Sequence, residues 1–223
     1  MNNYFILLAA GKGNRFNPNK PKQYFDYKGK MLIHHSIDKA LKSKLFNKIV
    51  IVTSNRYKKK FKKYNKKQLL FVVGGKERKD SSFNALKKIK KYNPTNVLIH
   101  DAARPNFSIK LLKNLIKKLK KNHAVIPYVN STDSIKYKIK NKKINLDRKK
   151  IYLTQTPQAF KFKKLYELSL NKAGEVTDEA TLFINNNINV KFILGENQNN
   201  KITYQKDLEI LKTYFGIGFD IHR

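Results

Sequence analysis

A chain of 223 residues with 40% hydrophobic content can bury the core of one α/β unit and is too apolar to stay disordered. It has no cysteine, which excludes disulfides, thiolate metal sites and cysteine nucleophiles and fits a reducing, cytoplasmic setting. Forty-nine Lys and Arg stand against 15 Asp and Glu, a formal net charge of +34. Such a charge suits a polyanion partner, so an RNA- or DNA-binding protein is one reading. However, lysine and asparagine are abundant along the whole chain, so the charge reads first as compositional. In the densest run, Arg56 to Lys67, Tyr57, Phe61 and Tyr64 sit at helical spacing and suit the buried stripe of a lysine-coated helix.

The apolar run Tyr4 to Ala10 has no basic stretch before it and a glycine loop after it. It predicts a first strand, not a signal peptide or membrane span. A helix is expected near Met31 to Ser43, a buried strand at Lys48 to Ser54, then the lysine-rich helix. Leu69 to Gly75 predicts a third strand, and Asp80 to Lys91 a helix with Asp80 or Ser81 near its N-cap. A fourth strand runs through Asn96 to Pro105 and ends in a polar turn. An amphipathic helix follows over Ile109 to Lys121, then a strand at Ala124 to Val129. Strands that alternate with helices and are continuously apolar predict an α/β fold with a doubly wound, mostly parallel sheet. From Ser131 to Gln155 apolar and basic residues alternate with period two about an Asn-Lys-Lys turn, which predicts a projecting β-hairpin arm. Helices at Lys161 to Asn171 and Glu179 to Asn185, a strand at Asn189 to Gly195 and a helix at Tyr204 to Phe215 complete the pattern. With no repeat and no long linker, it reads as one domain.

In an open parallel sheet, ligands bind beyond the carboxyl ends of the strands. Three segments fall there. The first, LLAAGKGNRFNPNKPKQY, leaves strand one through Ala9, Ala10 and Gly11, small residues that let a nucleotide approach the backbone. Gly11 and Gly13 permit a tight turn with amides facing phosphate, and Arg15 and Lys22 add two cations. The ending is neither that of a P-loop nor that of a dinucleotide fingerprint. The second segment holds Gly74, Gly75, Arg78 and Ser81, where the last two can donate to a base or phosphate. In the third, His100 to Pro105, Asp101 followed by small residues suits a ribose hydroxyl or a magnesium ion, while His100 reads as structural. No Ser-His-Asp set, histidine cluster or carboxylate pair stands out. A site of Arg and Lys with an isolated Asp suits phosphoryl or nucleotidyl transfer.

Together these segments resemble the 2-C-methyl-D-erythritol 4-phosphate cytidylyltransferase family. The similarity is collinear over residues 4 to 213 and also includes DSIK, LDR, QTPQAF, VTDEATL and GENQNNKIT. It implies a Rossmann-like nucleotidyltransferase fold, with CTP and methylerythritol phosphate as substrates and Mg²⁺ as cofactor. It also implies a homodimer in which an arm reaches the neighbouring subunit's site. By motif, Ala9 to Gly13 and Gly74 to Ser81 would surround the nucleotide. Arg15, Lys22 and Lys201 would neutralise the phosphates. Asp101, Ala102 and Arg104 would lie at the ribose and metal side, and Ser134, Arg148, Thr156 and Thr177 would hold the second substrate. Two departures stand out: Ser134 replaces the usual Thr, and Asn199-Asn200-Lys201 replaces the usual Asn-Ile-Lys, so packing beside Lys201 is expected to differ. The domain would end near residue 213. The tail Gly216 to Arg223 is similar to the start of the 2,4-cyclodiphosphate synthase of the same pathway, in which Asp220 and His222 would be a metal-binding pair if that domain followed. A ribitol- or other polyol-phosphate cytidylyltransferase shares the glycine loop and late lysine, and stays open as the acceptor alternative.

Overall fold

The computed structural model describes residues 1–210 except 14, 66, 141 and 172–176. In chain order the elements are β1 (Asn3–Leu8), β2 (Asp26–Tyr27), β3 (Lys30–Met31), α1 (Leu32–Ser43), β4 (Lys48–Thr53), β5 (Leu69–Val73), α2 (Arg78–Lys90), β6 (Asn96–Asp101), α3 (Ile109–Leu119), β7 (Ala124–Asn130), β8 (Ile135–Ile139), β9 (Lys142–Leu146), β10 (Tyr152–Thr154), β11 (Gln158–Lys161), α4 (Phe162–Leu170), α5 (Glu179–Asn185), β12 (Lys191–Leu194) and α6 (Lys206–Ile210). The rest of the helix expected to Phe215, and the tail with Asp220 and His222, lie outside the described residues.

The central sheet runs β12, β7, β11, β6, β1, β4, β5, with β10 beside the far half of β7. β6, β1, β4 and β5 pair in parallel; β10 and β11 are antiparallel to their neighbours. Both faces are buried, which is why the strands read as continuous apolar runs. On one face Phe5, Leu7, Ile49, Ile51 and Leu98 pack against Ile33 and Ile37 of α1 and Leu112 and Leu115 of α3. On the other, Tyr4, Ile6, Val50, Val97 and Ile99 meet Leu86 and Ile89 of α2, Leu165 of α4 and Phe183 of α5. Helices on both faces make the sheet doubly wound, and its parallel strands point their carboxyl ends at one edge.

Several local expectations are corrected. The lysine-rich segment is a 3-10 stretch over Asn55–Phe61, not an α-helix. Every charged residue from Arg56 to Lys67 is basic, so side chains three and four apart repel instead of pairing. Its aromatics do turn inward: Phe61 is buried, and Tyr57 and Tyr64 pack on the same core. Helix α2 begins at Arg78, two residues early, because Glu77 is the N-cap and shares a capping box with Asp80. The arm is shorter than 131–155. Only β8 and β9 form the separate hairpin, while Tyr152–Thr154 return to the main sheet. Strand β11, unforeseen, is only four residues long and inserts between β6 and β7.

The break between β10 and β11 holds Gln155, Thr156 and Pro157, with a cis Thr156–Pro157 peptide. There the Asp101 backbone N–H donates to Thr156 Oγ1 at 3.1 Å. The Thr156 hydroxyl in turn donates to His100 Nδ1 at 3.0 Å, and His100 Nε2 donates to the Arg104 carbonyl at 3.0 Å. This direction requires a neutral imidazole, and burial pushes His100 down to about 3. His100 is thus structural, as expected, and the relay fixes the end of β6. Thr156→Val keeps the shape but leaves the Asp101 N–H and His100 Nδ1 without partners. It should cost about 1–3 kcal/mol in urea unfolding; an unchanged midpoint would show that the relay contributes nothing.

Candidate functional site

The loop after β1 is shaped by a few contacts. Gly13 has φ +71°, a conformation that strains any L side chain, and a Cβ there would sit tightly at 3.3 Å from the Lys22 nitrogen. The Phe16 and Asn17 amides close the turn on the Gly13 carbonyl. Gly11 differs from expectation: its φ is not left-handed, and an added Cβ would meet open space. Its small size keeps the cleft clear instead of permitting the turn. Gln23, which the sequence reading did not single out, donates Nε2 to the carbonyls of Ala9 (2.7 Å) and Gly11 (3.0 Å), pinning the loop from behind. Opposite, a Cβ on Gly74 would lie 2.2 Å from the Ala10 Cβ, so the two loops touch through their smallest residues. Ser81, buried in the first turn of α2, accepts from the Gly75 amide at 3.0 Å.

Beyond the carboxyl ends of β1, β5 and β6 these loops enclose a cleft of about 920 Å³. Ala9, Ala10, Gly11, Gly13, Gly74, Gly75, Arg78, Ser81, Asp101 and Ala102 all line it, as do Arg15, Lys22 and Lys201. The structure therefore brings together in one place residues that lie up to 192 positions apart in the chain (Ala9 to Lys201). Its charged lining comprises Lys12, Arg15, Lys22, Lys76, Arg78 and Lys201 against Glu77 and Asp101, a surplus of four positive charges. Such a cavity attracts a polyanion.

Asp101 is the hub. Its Oδ1 faces Arg78 Nε at 3.4 Å, and its Oδ2 accepts from Lys201 Nζ at 2.7 Å. Burial works against the carboxylate, but Arg78 and Lys201 outweigh it and hold the carboxyl well below its usual range. Arg78 is itself clamped: Nη1 and Nη2 each donate to one oxygen of Glu179 at 2.9 Å. Glu179, the first residue of α5, is 3% exposed. The sequence marks it only as the start of an expected helix, because nothing local announces a partner 101 positions away. Lys22 donates to the Ile202 carbonyl at 2.6 Å. Burial, then the nearby Lys201, pushes its ammonium down to about 8.

Arg104 is not among the residues that line the cleft. Its Nη1 donates to the Asn199 carbonyl at 2.8 Å, and the Ile202 amide donates to the Ala103 carbonyl at 2.9 Å. Asn199, fully buried, donates Nδ2 to the Thr156 carbonyl at 2.8 Å. Arg104 thus latches the late segment that carries Lys201. The changed flank expected there is a set of hydrogen bonds around Asn199, together with Ile202 packed beside Phe16, Tyr27 and Leu32.

Ser134, Arg148, Thr156 and Thr177 do not line the cleft. Ser134 is exposed at the base of the arm. Arg148 donates to the Thr132 carbonyl at 2.6 Å and borders a separate concavity of about 380 Å³ with Asn130, Ser131, Thr132 and Lys149. Thr156 is buried in the relay behind Asp101. Thr177 is exposed just before α5, with its hydroxyl 3.2 Å from that of Thr181. Among the described residues no group of three or more His, Cys, Asp or Glu could hold a metal, and no helix is long and apolar enough to cross a membrane.

The family model described as IspD: 2-C-methyl-D-erythritol 4-phosphate cytidylyltransferase matches residues 4–216. A bifunctional enzyme IspD/IspF of Pelagibacter ubique is 53% identical over all of this chain, which spans 60% of that relative's length. A 2-C-methyl-D-erythritol 4-phosphate cytidylyltransferase of Fusobacterium nucleatum is 37% identical, with 93% of this chain and 94% of the relative covered. The crystal structure of 4-diphosphocytidyl-2C-methyl-D-erythritol synthase from Anaerococcus prevotii superposes with a TM-score of 0.84 at 29% identity over 94% of each chain. A match over nearly the whole chain, in sequence and in fold, means that this protein belongs to the 2-C-methyl-D-erythritol 4-phosphate cytidylyltransferase family of nucleotidyltransferases.

Proposed function

We propose that the protein transfers CMP from CTP to 2-C-methyl-D-erythritol 4-phosphate. A phosphate oxygen of the acceptor attacks the α-phosphorus of CTP, the bond to the bridging oxygen breaks, and diphosphate leaves. The observation that carries this reading is the cleft in which Arg15, Lys22 and Lys201 converge on the glycine loop beside Asp101. The chain supplies position and charge. The loop amides and small residues admit the nucleotide, and the three cations offset charge that builds up as attacking and leaving oxygens crowd one phosphorus. No proton need be abstracted from an ionised phosphate acceptor, which agrees with a site whose histidine is buried and neutral.

A magnesium ion fits this donor set. Mg²⁺ usually takes one or two carboxylates plus phosphate oxygens and water, and does not require an all-protein cage. Asp101, kept ionised at the cleft wall, is the residue that would hold it; the ion would neutralise triphosphate charge. The acceptor would be held by Ser134, Arg148 and Thr177, with Thr156, buried behind Asp101, acting only through the backbone it fixes. The first three are exposed outside the cleft, which suits a site completed by a second subunit. The arm supports that arrangement: Ile135, Tyr137 and Ile139 pair with Leu146, Ile144 and Lys142, so one face of the hairpin is apolar. Tyr137 and Ile144 are about half exposed (53% and 44%). A second copy of the chain would cover this face, and a CTP-using enzyme of this kind would work in the cytoplasm.

The direct test is diphosphate release from CTP with methylerythritol phosphate and ribitol phosphate assayed in parallel. Turnover with the polyol alternative alone would overturn the acceptor assignment. Lys22→Ala should lower turnover at least about a hundredfold with the fold intact, as expected for loss of one preorganised charge; near-normal activity would remove Lys22 from the mechanism. Because Lys22 must be charged to act and loses its proton near pH 8, kcat/KM for CTP should fall as pH rises through about 8. Lys22→Arg should carry that limb to higher pH, and a limb that stays put would belong to another group. Finally, Tyr137→Glu combined with Ile144→Lys should convert a dimer to monomers in sedimentation, and a wild-type monomer would refute the shared site.

A further inference from the structure

Of the charged groups in and around the cleft, Glu179 has no role in the reading above. It does not line the cleft, yet it accepts two hydrogen bonds from a residue that does. We propose that Glu179 is a positioning residue for nucleotide binding: from the start of α5 its carboxylate grips Arg78 by both terminal nitrogens and so aims the Nε edge at Asp101, fixing that carboxylate where the ligand would meet it. The inference rests on the assignment of the cleft to CTP.

The geometry supports this in three steps. A planar guanidinium bound at two points loses rotation about its own axis, which a single contact would leave free. Here both Nη atoms are 2.9 Å from separate oxygens of Glu179, so the remaining Nε edge has one direction to face. That edge points at Asp101 Oδ1, 3.4 Å away. Next, the two residues open their helices: Arg78 is the first residue of α2 and Glu179 the first of α5. A cation is badly placed at a helix N-terminus, where the dipole favours an anion. Glu179 offsets this for Arg78 while sitting favourably at the start of its own helix. Lastly, α5 is held in register by Asp178, whose carboxylate caps the helix through the Thr181 amide and accepts from Gln158 of β11 at 2.7 Å. The clamp is therefore anchored to the central sheet. Thr177, proposed to touch the acceptor, lies two residues before Glu179, so one helix start would address both substrates.

The test uses the full chain and two readouts. In the ligand-free protein, the Arg78 Nε–H should be visible and slow to exchange by NMR, and Glu179→Gln should abolish that protection. Calorimetry should then show CTP affinity reduced at least about tenfold in Glu179→Gln, the scale for breaking one side of a desolvated charge pair. The double variant Arg78→Gln/Glu179→Gln should bind CTP no worse than Arg78→Gln alone, because Glu179 acts through Arg78; simple structural damage would add. If Glu179→Gln does not fold, Glu179→Asp keeps the charge but is too short for the two-point grip, and carries the same expectations. Wild-type CTP affinity in a folded variant, or additive losses in the double variant, would overturn the inference. If the wild-type protein binds no CTP while Arg78 still loses protection, the nucleotide assignment falls and the clamp stands.

Discussion

The cleft depends on one ionised carboxylate, that of Asp101, at the end of a buried strand. An isolated carboxylate there would be strongly disfavoured. It is stable because Arg78 arrives from α2 and Lys201 from a segment 100 residues later, one on each oxygen. These partners fix the relative positions of β6, the start of α2 and the late loop. The relay through Thr156 and His100 fixes the backbone behind it. A buried ion pair adds little net stability once desolvation is counted, but it specifies geometry strongly, since either partner alone would be costly.

The chain's overall charge of +34 is a property of its whole surface and does not by itself explain the site. Most lysines lie on exposed helix and loop surfaces. Those of the cleft differ because they crowd one another. Lys22 is brought down to about 8 by burial and by Lys201, while Asp101 only partly compensates. A ligand-free site with a surplus of positive charge is electrostatically strained, and a triphosphate would relieve it by bonding to the same cations. In the proposed reaction, binding energy and transition-state stabilisation would then come from one set of residues.

Much of this was legible in the sequence. The β-α alternation, the glycine loop with Arg15 and Lys22, and the strand-end Asp101 are written in local patterns: periodicity, small residues before a turn, cations at a fixed spacing. What was not legible depends on long-range pairing. Strand β11 is four residues inside a segment that reads as loop, and only its neighbours β6 and β7 make it a strand. Gln23 and Glu179 are polar residues of ordinary appearance whose partners lie across the fold. The 3-10 stretch over Asn55–Phe61 misled because aromatic spacing favours a helix while unrelieved like charge opposes one.

Arg104 shows how a correct motif can hide an indirect role. Its position in the strand-end motif suggests contact with ligand, yet its guanidinium is spent on the carbonyls of Asn199 and, more distantly, Thr154. Those bonds hold the segment from which Lys201 reaches Asp101 and whose Ile202 carbonyl receives Lys22. Two cations that would act on phosphate are thus set by a third that does not line the cleft. The departure at Asn200 is tolerable for the same reason. Asn200 is exposed, and the segment is held by the buried Asn199 before it and the buried Ile202 after Lys201, so the lysine keeps its place without an apolar residue at position 200.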